Sequence, residues 1–127
     1  MLSIKTVYKK GLESCNDVLE VMEGVDKASF SHDKKTKLAV SMAFSHLSEM
    51  CKMVPASVKS QHPHSPWRQI REMRNLITHE YWKIDWNHVW DTTHLAVPVM
   101  KTFFEERLRN YELENPEPPK RGPDIPL

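Results

Sequence analysis

Three glycines in a chain of 127 residues narrow the choice of fold more than any other feature. Two-residue β-hairpins lean on glycine at their positive-φ positions, and phosphate-cradling loops are built from it. Gly11, Gly24 and Gly122 lie far apart and supply neither. Apolar residues instead recur at spacings of three and four, the period of a helix with one buried face. Ile4, Val7, Tyr8, Leu12, Cys15, Val18, Leu19 and Met22 form one such stripe, stopping before Gly24 as a C-terminal cap. Leu38, Ala39, Met42, Ala43, Leu47, Met50, Cys51 and Val54 form a second, with Ser31 or Asp33 as N-cap and Pro55 as its stop. Pro55 to His64 has no period and reads as a loop. A third helix runs over Trp67, Ile70, Met73, Leu76 and Ile77, opened by Ser65 as N-cap with Pro66 in the first helical position. Asp85 caps a fourth, from Trp86 to Leu108, in which Pro98 predicts a kink or break. The expectation is an all-α, up-and-down four-helix bundle over residues 1–110. Five of the nine prolines fall after Asn110, so residues 111–127 are expected to form an extended or disordered Pro-rich tail.

Charge excludes little in bulk, because 18 Lys+Arg stand against 17 Asp+Glu. Its distribution says more. Between Lys27 and Arg74 nine basic residues face three acidic ones, a local surplus that suits a phosphate-bearing partner and equally suits a solvated face. Cys15 and Cys51 sit in apolar patterns without a CxxC pair, which fits a reducing cytoplasm rather than a disulfide framework. No apolar run is long enough to span a membrane. Charge appears too early after Met1 for a secretory signal.

Chemistry concentrates between Trp67 and Trp90, where all four tryptophans, three arginines, two histidines and Tyr81 occur. Arg68, Arg71 and Arg74 recur every three residues and are candidate RNA-binding groups. Arg74 and His79 together hold the minimum for metal-free RNA cleavage. A guanidinium grips phosphate oxygens at any working pH, and an imidazole moves protons near neutrality. On a regular helix, however, five residues amount to roughly 140° of rotation, so the two cannot meet at one phosphate. Either the helix ends before His79 or a second subunit completes the site. On spacing alone the commoner roles are structural: His79 as a helix C-terminal residue facing the dipole, Arg74 as an ion-pair partner of Asp85 or Glu80. The tryptophans read as core or interface residues, and His62 and His64 as a solvated loop rather than a metal chelate. No metal or cofactor site is expected.

The string Arg74-Asn75-Leu76-Ile77-Thr78-His79-Glu80-Tyr81 has the form RNxxxHxY and resembles the signature of the HepT-like toxins of the HEPN superfamily. Pro63, Pro66, Trp67, Ile70 and Met73 upstream, and Ile84, Asp85, Val89, Trp90 and Pro98 downstream, are similar to that family in order and spacing. The likeness spans Ile4 to Leu108 in pattern and is specific from Pro63 to Pro98. It implies a metal-independent, cofactor-free endoribonuclease of HEPN fold, acting as a homodimer whose site forms where the two subunits meet. By the same resemblance Arg74 and His79 are the catalytic pair, with Asn75 as polar neighbour. Tyr81 is implied as the residue adenylylated by a minimal nucleotidyltransferase antitoxin, as in a type VII-like toxin–antitoxin system cleaving messenger or transfer RNA. The competing reading is a non-catalytic HEPN module that binds nucleotide, RNA or protein through the same arginines.

Overall fold

Ser3 opens the first helix by accepting a hydrogen bond from the Thr6 amide at 3.2 Å, satisfying a donor that the first turn would otherwise leave free. This helix, α1 (Ile4–Val21), is followed by α2 (Lys27–Phe30), α3 (Lys34–Met53), α4 (Ala56–Gln61) and α5 (Trp67–His79). A one-turn 3-10 helix over Tyr81–Lys83 leads to α6 (Trp86–Leu95) and α7 (Val97–Glu114). The computed structural model describes residues 2–116 and 118, and among these there is no strand. The fold is all-α, as the glycine count and periodicity require. Among the described residues no helix is long and apolar enough to cross a membrane.

α1 packs against both α3 and α7, and α5 leans on α3. Val7, Tyr8, Cys15 and Val18 from α1, Val40, Phe44 and Leu47 from α3, and Val97, Met100 and Phe104 from α7 form the core. Gly11 lets α7 come close, since a Cβ there would collide with the Phe104 ring. Phe103 ties the core to the start of α5: its ring meets Trp67 edge-on at 4.8 Å and His62 at 5.0 Å.

Several expectations resolve at this level. Asp33, not Ser31, caps α3, accepting from the Thr36 amide at 3.1 Å and its hydroxyl at 2.6 Å. Those bonds favour the ionised carboxylate and lower its pKa. Asp85 caps α6 through the Asn87 amide at 3.0 Å. The fourth predicted helix breaks at Ala96, leaving Pro98 in the first turn of α7, where its missing donor costs nothing. Pro66 rather than Ser65 holds the cap position of α5, because its backbone, at φ −83° and ψ 52°, is not yet helical. The predicted loop between Pro55 and His64 contains α4, which buries none of its residues fully and so prints no apolar period. α7 runs on to Glu114, four residues into the expected tail. Apart from Asn115, Pro116 and Pro118, the remainder of that tail lies outside the described residues.

Candidate active site

The 13-residue helix α5 has only Ile70 and Met73 fully buried, anchored among the core residues. Trp67 and Ile77 pack partly beside them, and the rest of the helix surface is free for polar work. The helix stays regular through its end: the Glu80 amide donates to the Leu76 carbonyl at 2.9 Å, and His79 is the last helical residue. One of the two routes open to the sequence, an early helix end that lets Arg74 and His79 converge, is therefore closed.

The two residues face different concavities. An open one of about 590 Å³ is lined by Glu72, Asn75, Leu76, His79 and Glu80. Another, of about 390 Å³, lies between α3, α4 and α5 and takes in Lys52, Lys59, Arg71, Arg74 and Asn75. Asn75 borders both. Its Oδ1 accepts a hydrogen bond from Arg74 Nη1 at 3.2 Å, which orients the guanidinium without neutralising it. Arg74 makes no ion pair with Asp85 or Glu80. The histidine thus sits beside two carboxylates and the arginine among other cations.

Of the other arginines, Arg71 joins Arg74, whereas Arg68 pairs with Glu72 at 2.8 Å on the exposed surface. Hydrogen bonding to Glu72 raises the Arg68 pKa and lowers that of the carboxylate. Tyr81 is half-buried, its ring edge-on to Trp86 at 5.4 Å. Among the described residues its hydroxyl has no hydrogen-bond partner. Trp67, Trp86 and Trp90 pack against the core, but Trp82 is 79% exposed and belongs to none of it. His62 is likewise not a solvated loop residue: it is half-buried, and its carbonyl accepts from Trp67 Nε1 at 3.1 Å. Lys52 and Lys59 escaped the sequence reading as individual site residues. The charge surplus counts them, but only α4 brings Lys59 to the arginines.

The family model described as Ribonuclease HepT-like matches residues 12–107, well over half of the chain. The chain belongs to the HepT-like ribonuclease family. A relative from Thermococcus cleftensis, named "Probable ribonuclease HepT", is 32% identical over 107 residues, covering 81% of this chain and 97% of that protein. Two proteins of Methanocaldococcus jannaschii, each named "Putative RNase", are 27% identical over 109 residues, covering 86% of this chain and 90% and 94% of their own lengths. No solved structure matches. As a HepT-like ribonuclease the protein is an RNA-cleaving enzyme, and the matched span takes in all of α5 and the 3-10 turn with Tyr81.

Proposed function

We propose that this HepT-like ribonuclease is a metal-independent RNA endonuclease whose catalytic pair, Arg74 and His79, is completed between two copies of the chain. The observation that carries this reading is the regular helix through His79, which turns the two side chains toward separate concavities. Charge supports it as well. A face bearing His79 and Glu80 is complementary to the Arg74 end of the cationic concavity, and a two-fold dimer can bring each against the other twice.

In such a site the histidine of one copy and the arginine of the other act on one phosphodiester. Imidazole takes the proton from the ribose 2′-hydroxyl as that oxygen bonds to phosphorus. The bond from phosphorus to the 5′-oxygen breaks, and an imidazolium returns a proton to the leaving oxygen. Guanidinium donors hold the non-bridging oxygens as negative charge builds on the phosphorane, and Asn75 keeps the fork in place. The products are a 2′,3′-cyclic phosphate and a 5′-hydroxyl. Incubation of the purified chain with RNA in EDTA tests this directly, with cyclic ends expected. Tight RNA binding without cleavage would instead identify the non-catalytic module.

The same reading makes the protein the cytoplasmic toxin of a type VII-like toxin–antitoxin pair, silenced by a minimal nucleotidyltransferase. The enzyme would move AMP from ATP to the Tyr81 phenol oxygen, releasing pyrophosphate. An unpartnered hydroxyl two residues beyond His79 suits that acceptor role, and the added phosphate opposes the RNA backbone. With partner and ATP, intact mass should rise by whole AMP increments in the native chain and not in Tyr81→Phe. Equal labelling of the variant would move the acceptor elsewhere.

A further inference from the structure

The concavity between α3, α4 and α5 reaches beyond the arginine of the proposed catalytic pair. Lys52 comes from the last turn of α3, Lys59 from α4, and Arg71 and Arg74 from one side of α5. Four cations thus share the lining with one carboxylate, Glu49. Among the described residues none of the four is ion-paired, in contrast to Arg68, whose charge is met by Glu72. The Lys59 ammonium lies 5.5 Å from the Trp67 ring centroid, a contact that positions the charge without cancelling it. Trp67 is itself fixed by its bond to the His62 carbonyl and by Phe103. Four cations without ion-pair partners lining one concavity with Arg74 among them, and Lys59 held against Trp67, are what a chain of phosphates needs, and a single phosphate does not need so many.

We propose that Lys52 and Lys59 form a subsite for RNA phosphates flanking the scissile one, so that the enzyme prefers a strand several nucleotides long to a dinucleotide. This rests on the reading of Arg74 as the group that meets the scissile phosphate. Arg71 bridges the subsite to Arg74, and α4 is the element that builds it. The two lysines act on binding and not on bond breaking.

The test is the double variant Lys52→Gln/Lys59→Gln in the full chain, with a single-stranded oligoribonucleotide and a ribodinucleoside monophosphate as probes. Oligonucleotide affinity, read by fluorescence anisotropy, should fall about tenfold, and the slope of log affinity against log salt should become shallower by about 1.4, at about 0.7 for each of two phosphate contacts on a single strand. KM for the oligonucleotide should rise in parallel while kcat and dinucleotide cleavage hold within about twofold, as expected of uniform binding. Unchanged oligonucleotide affinity and salt slope in a folded variant would overturn the subsite. So would an equal loss on both substrates, or dissociation of the copies, which would assign the lysines to a protein contact. If the native chain binds the oligonucleotide through these lysines but cuts neither probe, the subsite stands and the catalytic reading of Arg74 and His79 falls.

Discussion

Along α1, Val7, Tyr8, Gly11, Ser14, Cys15 and Val18 are buried, more than one per turn, while α5 buries only Ile70 and Met73. Both are amphipathic helices of one small protein. α1 is held between two neighbours, and its identity is set by packing. α5 is anchored by Ile70 and Met73 with Trp67 and Ile77 packed partly beside them, and the rest of its surface carries three arginines, Asn75 and His79. Altering the α1 contacts should cost stability and leave the chemistry of folded molecules alone, whereas altering polar residues of α5 should do the reverse.

The largest expected effect separates the two regions at once. His79→Ala and Arg74→Ala should each lower RNA cleavage by roughly 10² to 10⁴, the range for losing a general acid–base or a charge-stabilising group. Thermal unfolding should barely move, because neither side chain is in the core. A cleavage loss matched by a lower unfolding midpoint would mean that α5 is structural after all.

The buried thiols sharpen the other half. Burial pushes the Cys51 thiol up to about 12, and Cys15 is raised for the same reason. Both stay protonated through neutral and mildly alkaline pH, so reaction with a disulfide reagent at pH 8 should be slower than in the unfolded chain by roughly a hundredfold or more, gated by opening of the fold. The sign for stability follows: these thiols contribute fully below the unfolded thiol pKa, and the contribution fades as pH rises toward the folded values. Fast labelling of the native protein would contradict the tight α1–α3 packing.

Gly11→Ala should follow in magnitude. Its new methyl meets the buried Phe104 ring, and overpacking of this kind costs about 1–3 kcal/mol. The better helix propensity of alanine, about 1 kcal/mol, offsets part of that. Urea unfolding should show the loss, with cleavage per folded molecule unchanged. The smallest effect is expected within α5. Arg68→Ala should weaken RNA binding less than Arg71→Ala, since Glu72 already meets the Arg68 charge. Equal losses would show that the ion pair opens when RNA binds.

The legibility of the two regions also differs, for physical reasons. The stripes of α1 and α3, the Asp85 cap and the break near Pro98 were readable because burial and capping leave local marks on residue order. α4 was not, since a six-residue helix with no fully buried residue leaves no apolar period, and with it the approach of Lys59 to Arg71 and Arg74 was hidden. The α5 cap is Pro66 and not Ser65, since no side chain caps this helix and the good capping chemistry of Ser65 goes unused. In the site, the rotation between Arg74 and His79 was calculable from helix geometry. That the helix persists through His79 was not, because no glycine or proline marks its end. The exposure of Trp82 was also illegible, since a tryptophan amid three half-buried ones carries no sign of being outside the core.

If the arginine and the histidine of one site come from different copies, mixing two inactive variants restores cleavage. Arg74→Ala and His79→Ala chains, each unable to cut RNA alone, should be combined under conditions where subunits exchange, with exchange verified by mass-tagged chains. In a mixed two-fold dimer one of the two sites recovers an intact arginine and an intact histidine. Random mixing should therefore restore about a quarter of native cleavage. No recovery in a verified mixture would contradict the account and place both residues of each working site on a single chain.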